Sequence, residues 1–272
     1  MVLIQNYIFQ IIFSIGIIII FGLIIAALNR AWIRMLGSKG VAVIRTTGII
    51  GTPVHEIGHA IFCILFGHKI TGIKLYSMDT TTGVLGYVSH NYNKKNIYQQ
   101  AGNFFIGVGP IIFGSAVLTL LMLLFVPATF HNVFHSLGGI SQIDFSFINQ
   151  DTYLGIFEVF KNIFTSIFNF ENIKNWIWWI FILCAMSIAT HMTLSKADVK
   201  GSILGFFLML LLIFIVDAVI FFISQNVLIL ITNAMIKGSF YIISLLAIAV
   251  ILLLVLLLVT FIFGGFKLKR NH

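Results

Sequence analysis

Apolar residues along the chain fall into six long runs separated by shorter polar stretches. The runs cover residues 7–29, 47–66, 104–126, 176–194, 203–224 and 240–263. Each is close to the roughly 20 residues that a helix needs to cross a bilayer. Between the second and third runs, Ile73 and Leu75 alternate with Lys74 and Tyr76, and Met78–Gly83 has turn composition. This pattern predicts a β hairpin, with strands at Ile70–Ser77 and Val84–Ser89. From Tyr153 to Phe168 apolar residues recur at helical spacing. That predicts an amphipathic helix at the membrane interface, or packed on the rim of the bundle, capped by Asp151, with Asn162 on its polar face. Pro110 predicts a kink in the third run, and Gly107, Gly109 and Gly114 would let another helix approach closely. The predicted fold is an all-α polytopic membrane protein of about six transmembrane helices. A short β hairpin lies between spans two and three, and residues 1–272 form one domain with its core at 47–201.

Composition strengthens this reading. The chain is 60% hydrophobic and 9% charged, which excludes an ordinary soluble domain. Its net charge of +8 is spread over several loops with no aromatic-interleaved basic face. The expected basic contacts are therefore lipid, not nucleic acid. Cys63 and Cys184 both sit in apolar runs and supply no disulfide framework. The start of the first run lacks a positive charge and a good cleavage site, so an uncleaved anchor is expected. Residues 30–46 read as a basic connector. Basic residues are more numerous in 67–103, 195–201 and the C-terminal tail than in the alternate loops. That bias puts both termini in the cytoplasm of a multi-pass protein. The Ile-, Phe-, Asn- and Lys-rich usage points to an AT-rich microbial genome, hence to a bacterial cell membrane.

The chemistry is concentrated in the second run, where His55-Glu56-Ile57-Gly58-His59 forms an H-E-x-x-H pattern. On a helix His55 and His59 share one face, one turn apart. Two imidazoles so placed can hold one Zn2+, and Glu56 can act as the general base of a hydrolase. With eight His and three Glu in the chain, chance supplies roughly 0.003 such patterns. A Glu inside a span costs about 2.5–3.5 kcal/mol on insertion scales and asks for a functional reason.

A catalytic zinc usually takes a third protein ligand. Cys63 lies eight residues from His55, about 12 Å along a helix, and is too far away. Asp217 is an intramembrane acid with no local motif around it. His191 and Asp198 are seven residues apart, and either could ligate. His131 and His135 are also four apart, but no acid stands between them, and they read as a solvated loop pair. His68 and His90 flank the hairpin and read as polar-loop residues.

H-E-x-x-H in an early span, a β-like stretch, a Gly-Pro span and a later Asp together resemble the site-two protease family of intramembrane zinc metalloproteases. The resemblance covers roughly residues 47–201. It implies Asp198 as the third ligand, in the stretch Thr190–Asp198. There Thr190 replaces the family's Asn, the prolines are absent, and Gly comes only at Gly201. Gly109-Pro110 matches the family's Gly-Pro, but Phe113 stands where an Asn is usual. The implied activity is hydrolysis of a transmembrane or membrane-adjacent peptide. An exposed strand edge can hold such a peptide extended, and Ile70–Ser77 is the expected edge; the hairpin could equally plug the cytoplasmic end of the bundle. Two other readings use the same residues. One is a transporter or scaffold retaining a metal, with Glu56, His191 and Asp217 along a path. The other is a metal-dependent hydrolase of a lipid-like amphiphile.

Overall fold

The computed structural model describes residues 1–78, 83–140 and 150–264, with backbone only at 136–140, 150–153, 155, 156, 159 and 264. It is a helical bundle with one two-stranded sheet. The chain begins with α1 (Val2–Ile11), passes through a π-helical turn (Ile12–Gly16) into α2 (Ile17–Leu36), and breaks at a 3-10 turn (Gly37–Lys39). Gly37 takes φ 57°, a left-handed conformation that glycine reaches without a Cβ penalty. The motif helix α3 (Gly40–Leu65) follows. The expected basic connector is therefore almost wholly helical. Arg30 and Arg34 extend α2, and Arg45 lies on α3, because Arg is a good helix former and only Gly37 interrupts.

Strands β1 (Lys69–Lys74) and β2 (Tyr87–Asn91) pair antiparallel, with Ile73 opposite Val88 and a bulge between Ile70 and Gly72. The second strand lies further along the chain than Val84–Ser89. In the predicted turn, residues 79–82 lie outside the described residues. Then come α4 (Ile97–Phe125), α5 (Pro127–Ile140), α6 (Gln150–Ile167), α7 (Phe170–Lys174), α8 (Trp176–Ala189), α9 (Lys196–Ile223) and α10 (Gln225–Gly264). Helix α4 continues through Pro110. His131 and His135 sit exposed on α5, not in a loop. Helix α10 starts 15 residues before the expected sixth span. Its polar early turns are tied inward, since Gln10 Nε2 donates to Asp217 Oδ1 and to Thr232 Oγ1, both at 3.0 Å.

Among the described residues, four helical stretches are long and apolar enough to cross a membrane: Val2–Leu65, Ile97–Phe125, Lys196–Ile223 and Gln225–Phe263. Helix α8 is apolar but shorter. The outward faces carry Leu211, Phe214, Val219 and Phe222 on α9 and Leu258 and Phe263 on α10, as lipid-facing helices do. The main core joins α4, α8 and α10 through Ile111, Leu118, Phe181, Ile188, Leu246 and Leu252, all essentially inaccessible. In α6, Ile163 and Ile167 join this core while Leu154, Phe157 and Phe164 are exposed. Asn162 is half-buried, and the Asp151 side chain lies outside the described residues.

Candidate metal centre

His55, Glu56 and His59 occupy one and a half turns of α3, and the main chain around them fixes each imidazole. His55 Nδ1 lies 2.7 Å from the carbonyl of His191, and His59 Nδ1 lies 2.7 Å from the carbonyl of Ile106. A carbonyl can only accept, so both Nδ1 atoms carry the hydrogen and both Nε2 atoms are left with lone pairs. Those two Nε2 atoms face each other at 3.1 Å. Asp198 Oδ1 stands 3.3 Å from His59 Nε2, and all three donor atoms lie within 4.8 Å of one another. Zinc bonds of about 2.0–2.1 Å in a tetrahedron put neighbouring ligand atoms about 3.3 Å apart. Three electron-rich atoms converging at this spacing repel one another unless a cation lies among them. The donor set, two imidazole nitrogens and a carboxylate oxygen, fits a divalent transition ion such as zinc.

The acid reaches the histidines because α8 stops. It ends at Ala189, residues 190–195 cross without helix, and α9 starts at Lys196. Ser195 is the N-cap: its hydroxyl accepts from Asp198 N at 3.1 Å, and its own N–H donates to Asp198 Oδ2 at 2.8 Å. This reciprocal capping box engages Oδ2 and leaves Oδ1 to face His59. It also holds the carboxylate at the positive end of α9.

The other third-ligand candidates do other things. The His191 ring donates from Nδ1 to Ser187 O at 3.0 Å, and it is the carbonyl of His191 that serves His55. Asp217 is bound to Gln10 and does not line the site. Cys63 is fully buried and outside the donor group.

Close helix packing sets the scale of the site. A Cβ at Gly58 would lie 2.9 Å from Gly109 O and from the Pro110 backbone, so α3 and α4 touch backbone to backbone beside His59. At Gly51 a Cβ would overlap Ser187 O and the His191 ring, and at Gly107 it would overlap the Ser202 hydroxyl at the start of α9. Gly58→Ala should lower stability by about 1–3 kcal/mol, as overpacking does. Thermal unfolding in detergent is the measurement. Gly201→Ala and Gly238→Ala, where nothing lies within 4 Å, should not lower the midpoint, since Ala in a helix is favoured over Gly where no contact opposes it. Equal tolerance at all three positions would contradict the close contact.

The three donors open onto a cavity of about 490 Å³, whose wall includes Glu56, Asn103, Tyr87, Val88 and His90. Glu56 and Asn103 are nearly inaccessible. The hairpin forms one side. It folds back along α3: a Cβ at Gly86 would lie 2.9 Å from Glu56 Cγ, and Tyr76 Oη donates to Arg45 O at 2.8 Å. From Leu65 to Arg45 is about 30 Å of helix, so the described residues of 67–96 do not stay at one end of α3 as a simple loop. The strand at the cavity is β2; no residue of Ile70–Ser77, the expected edge, lines it.

His68 and His90, expected in polar loops, form a pair with Nδ1 atoms 3.0 Å apart, and His68 is buried. Burial, with the His68 and His59 imidazoles nearby, holds His90 below the usual histidine range. Sequence reasoning also missed Asn103 and Ser195. Ser195-Lys196-Ala197-Asp198 is a readable S-x-x-D capping signature. Nothing local marks Asn103 or His90, which packing alone brings to the cavity. No family model, curated protein or solved structure matches the chain.

Proposed function

We propose that this chain is an intramembrane zinc peptidase that hydrolyses a peptide bond in a membrane-embedded or membrane-adjacent segment, as its resemblance to site-two proteases implies. One observation carries the reading: His55 Nε2, His59 Nε2 and Asp198 Oδ1 converge on a cavity that Glu56 also lines. Zinc held there by these three residues would polarise the scissile carbonyl and acidify a bound water. Glu56 takes the proton of the attacking water and returns it to the departing amine nitrogen. The main-chain carbonyls of His191 and Ile106 keep both imidazoles in the tautomer that presents Nε2. Strand β2 holds the substrate extended, because a helical segment hides its peptide bonds in its own hydrogen bonds. An apolar crevice of about 210 Å³ between α2, α4 and α9 includes Leu23, Val108 and Ile203 and shares Gly107 and Asp198 with the cavity. It offers an approach from the lipid side.

In this reading the chain crosses the membrane six times, through α1–α2, α3, α4, α8, α9 and α10, with both termini cytoplasmic. Helix α8 has 14 residues, about 21 Å, which is short of the roughly 30 Å hydrocarbon core. Its end, and the site with it, therefore lie at membrane depth. The test is metal removal from the full chain in proteoliposomes carrying single-span peptides. Purified protein should hold one zinc per chain, cleave a peptide, lose cleavage on chelation and regain it with added zinc. Zinc-replete protein that leaves every peptide of a broad panel intact would overturn the peptidase reading and leave a metal-retaining membrane protein.

A further inference from the structure

The cavity wall carries one imidazole that neither the metal donors nor Glu56 account for. His90 lies on β2 between exposed Ser89 and Asn91, and with Val88 it forms the half-buried face of that strand. Its tautomer follows from its neighbours. His68 Nε2 lies 2.8 Å from the carbonyl of Gln99, which can only accept, so that nitrogen carries the hydrogen. The Nδ1 of neutral His68 is then a lone pair, and His90 Nδ1, 3.0 Å away, must donate to it. Stacking on Tyr92, with centroids 4.8 Å apart, holds the His68 ring in place. What remains on His90 is Nε2, a lone pair with no hydrogen-bond partner among the described residues, on a ring that lines the cavity beside Glu56 and His59. A peptide drawn into this cavity gives up water at its N–H groups, and each needs an acceptor.

The geometry points to His90 as a substrate-contacting residue whose Nε2 accepts a hydrogen bond from a backbone N–H of the peptide lying beside the metal donors. This assignment rests on the peptidase reading and names part of how that site recognises substrate. His68 is the positioning residue that fixes the acceptor tautomer.

The probe is a short apolar peptide hydroxamate, whose head group chelates zinc, bound to the zinc-loaded full chain in detergent and followed by calorimetry. A companion series replaces each backbone N–H in turn by N–CH3. In the wild type, methylation at one position should cost about tenfold in affinity, the size of one hydrogen bond. His90→Phe should bind the parent probe about tenfold more weakly and lose nothing further at that position. His90→Gln, whose amide oxygen can accept in the same place, should keep the methylation loss. Zinc content of each variant confirms that the site is filled. If His90→Phe shows the wild-type methylation profile, the assignment falls and the peptidase reading stands. If zinc-loaded wild type binds no hydroxamate, the peptidase reading falls and takes the assignment with it.

Discussion

Glu56→Gln is expected to keep the fold and the zinc and to lose the reaction. Glu56 sits between the two histidines in sequence but is not among the three converging donors. Its neighbours on α3 are fixed by carbonyls of α4 and of the segment after α8, neither of which involves its carboxylate. Glutamine has almost the same shape, which matters because Gly86 is packed against Glu56 Cγ. What glutamine lacks is a basic oxygen. A positioned general base contributes about 10²–10⁴-fold, so cleavage should fall by at least about 100-fold while zinc content stays at one per chain. Zinc analysis and cleavage rates on the same reconstituted sample make the comparison. Cleavage within a few-fold of wild type would remove Glu56 from the mechanism.

The parts of this protein that could be read from sequence are those set by local spacing. H-E-x-x-H needs only a helix to bring its side chains to one face, and α3 is helical throughout. The apolar runs located the long helices but not their ends, and they gave no sign of α5 or α7. Arg30, Arg34 and Lys237 are polar yet lie within helices, since a long side chain at a helix surface can reach water from a buried backbone. Thr232 is polar and nearly inaccessible, satisfied by Gln10 from the other end of the chain. No window of sequence contains both partners. The hairpin was legible as a hairpin, while its register was not: β2 runs to Asn91, which places His90 opposite Ile70 and inside the cavity. The third donor is the intermediate case. Asp198 was singled out through the family resemblance, but the local reason for its pose is the capping box with Ser195. The apolar run that continues to residue 194 hides the end of α8 at Ala189, because nothing as strong as proline marks it.

Removing the Asp198 carboxylate should empty the site, whereas removing the His191 imidazole should not. Asp198→Ala leaves two neutral imidazoles to hold a dication, without the only anionic donor of the group. Zinc affinity should fall by more than the roughly 10–100-fold that loss of a ligand's hydrogen-bond partner costs. Ser195→Ala is the milder change, because it keeps the carboxylate and the Ser195 main-chain N–H that donates to Asp198 Oδ2, and removes only the hydroxyl that accepts from Asp198 N, so affinity should fall by less than that. Helix stability should drop by about 1 kcal/mol as the cap is lost. His191→Ala keeps the carbonyl that orients His55, since a backbone atom survives a side-chain change. It should retain one zinc per chain and lose stability instead, because the ring packs against Gly51. Asp217→Asn should also retain zinc, its carboxylate being engaged with Gln10 on α1. Competition with a chromogenic chelator gives all four affinities on one scale. Full zinc in Asp198→Ala, with loss in His191→Ala or Asp217→Asn, would move the third ligand away from α9 and undo the centre described above.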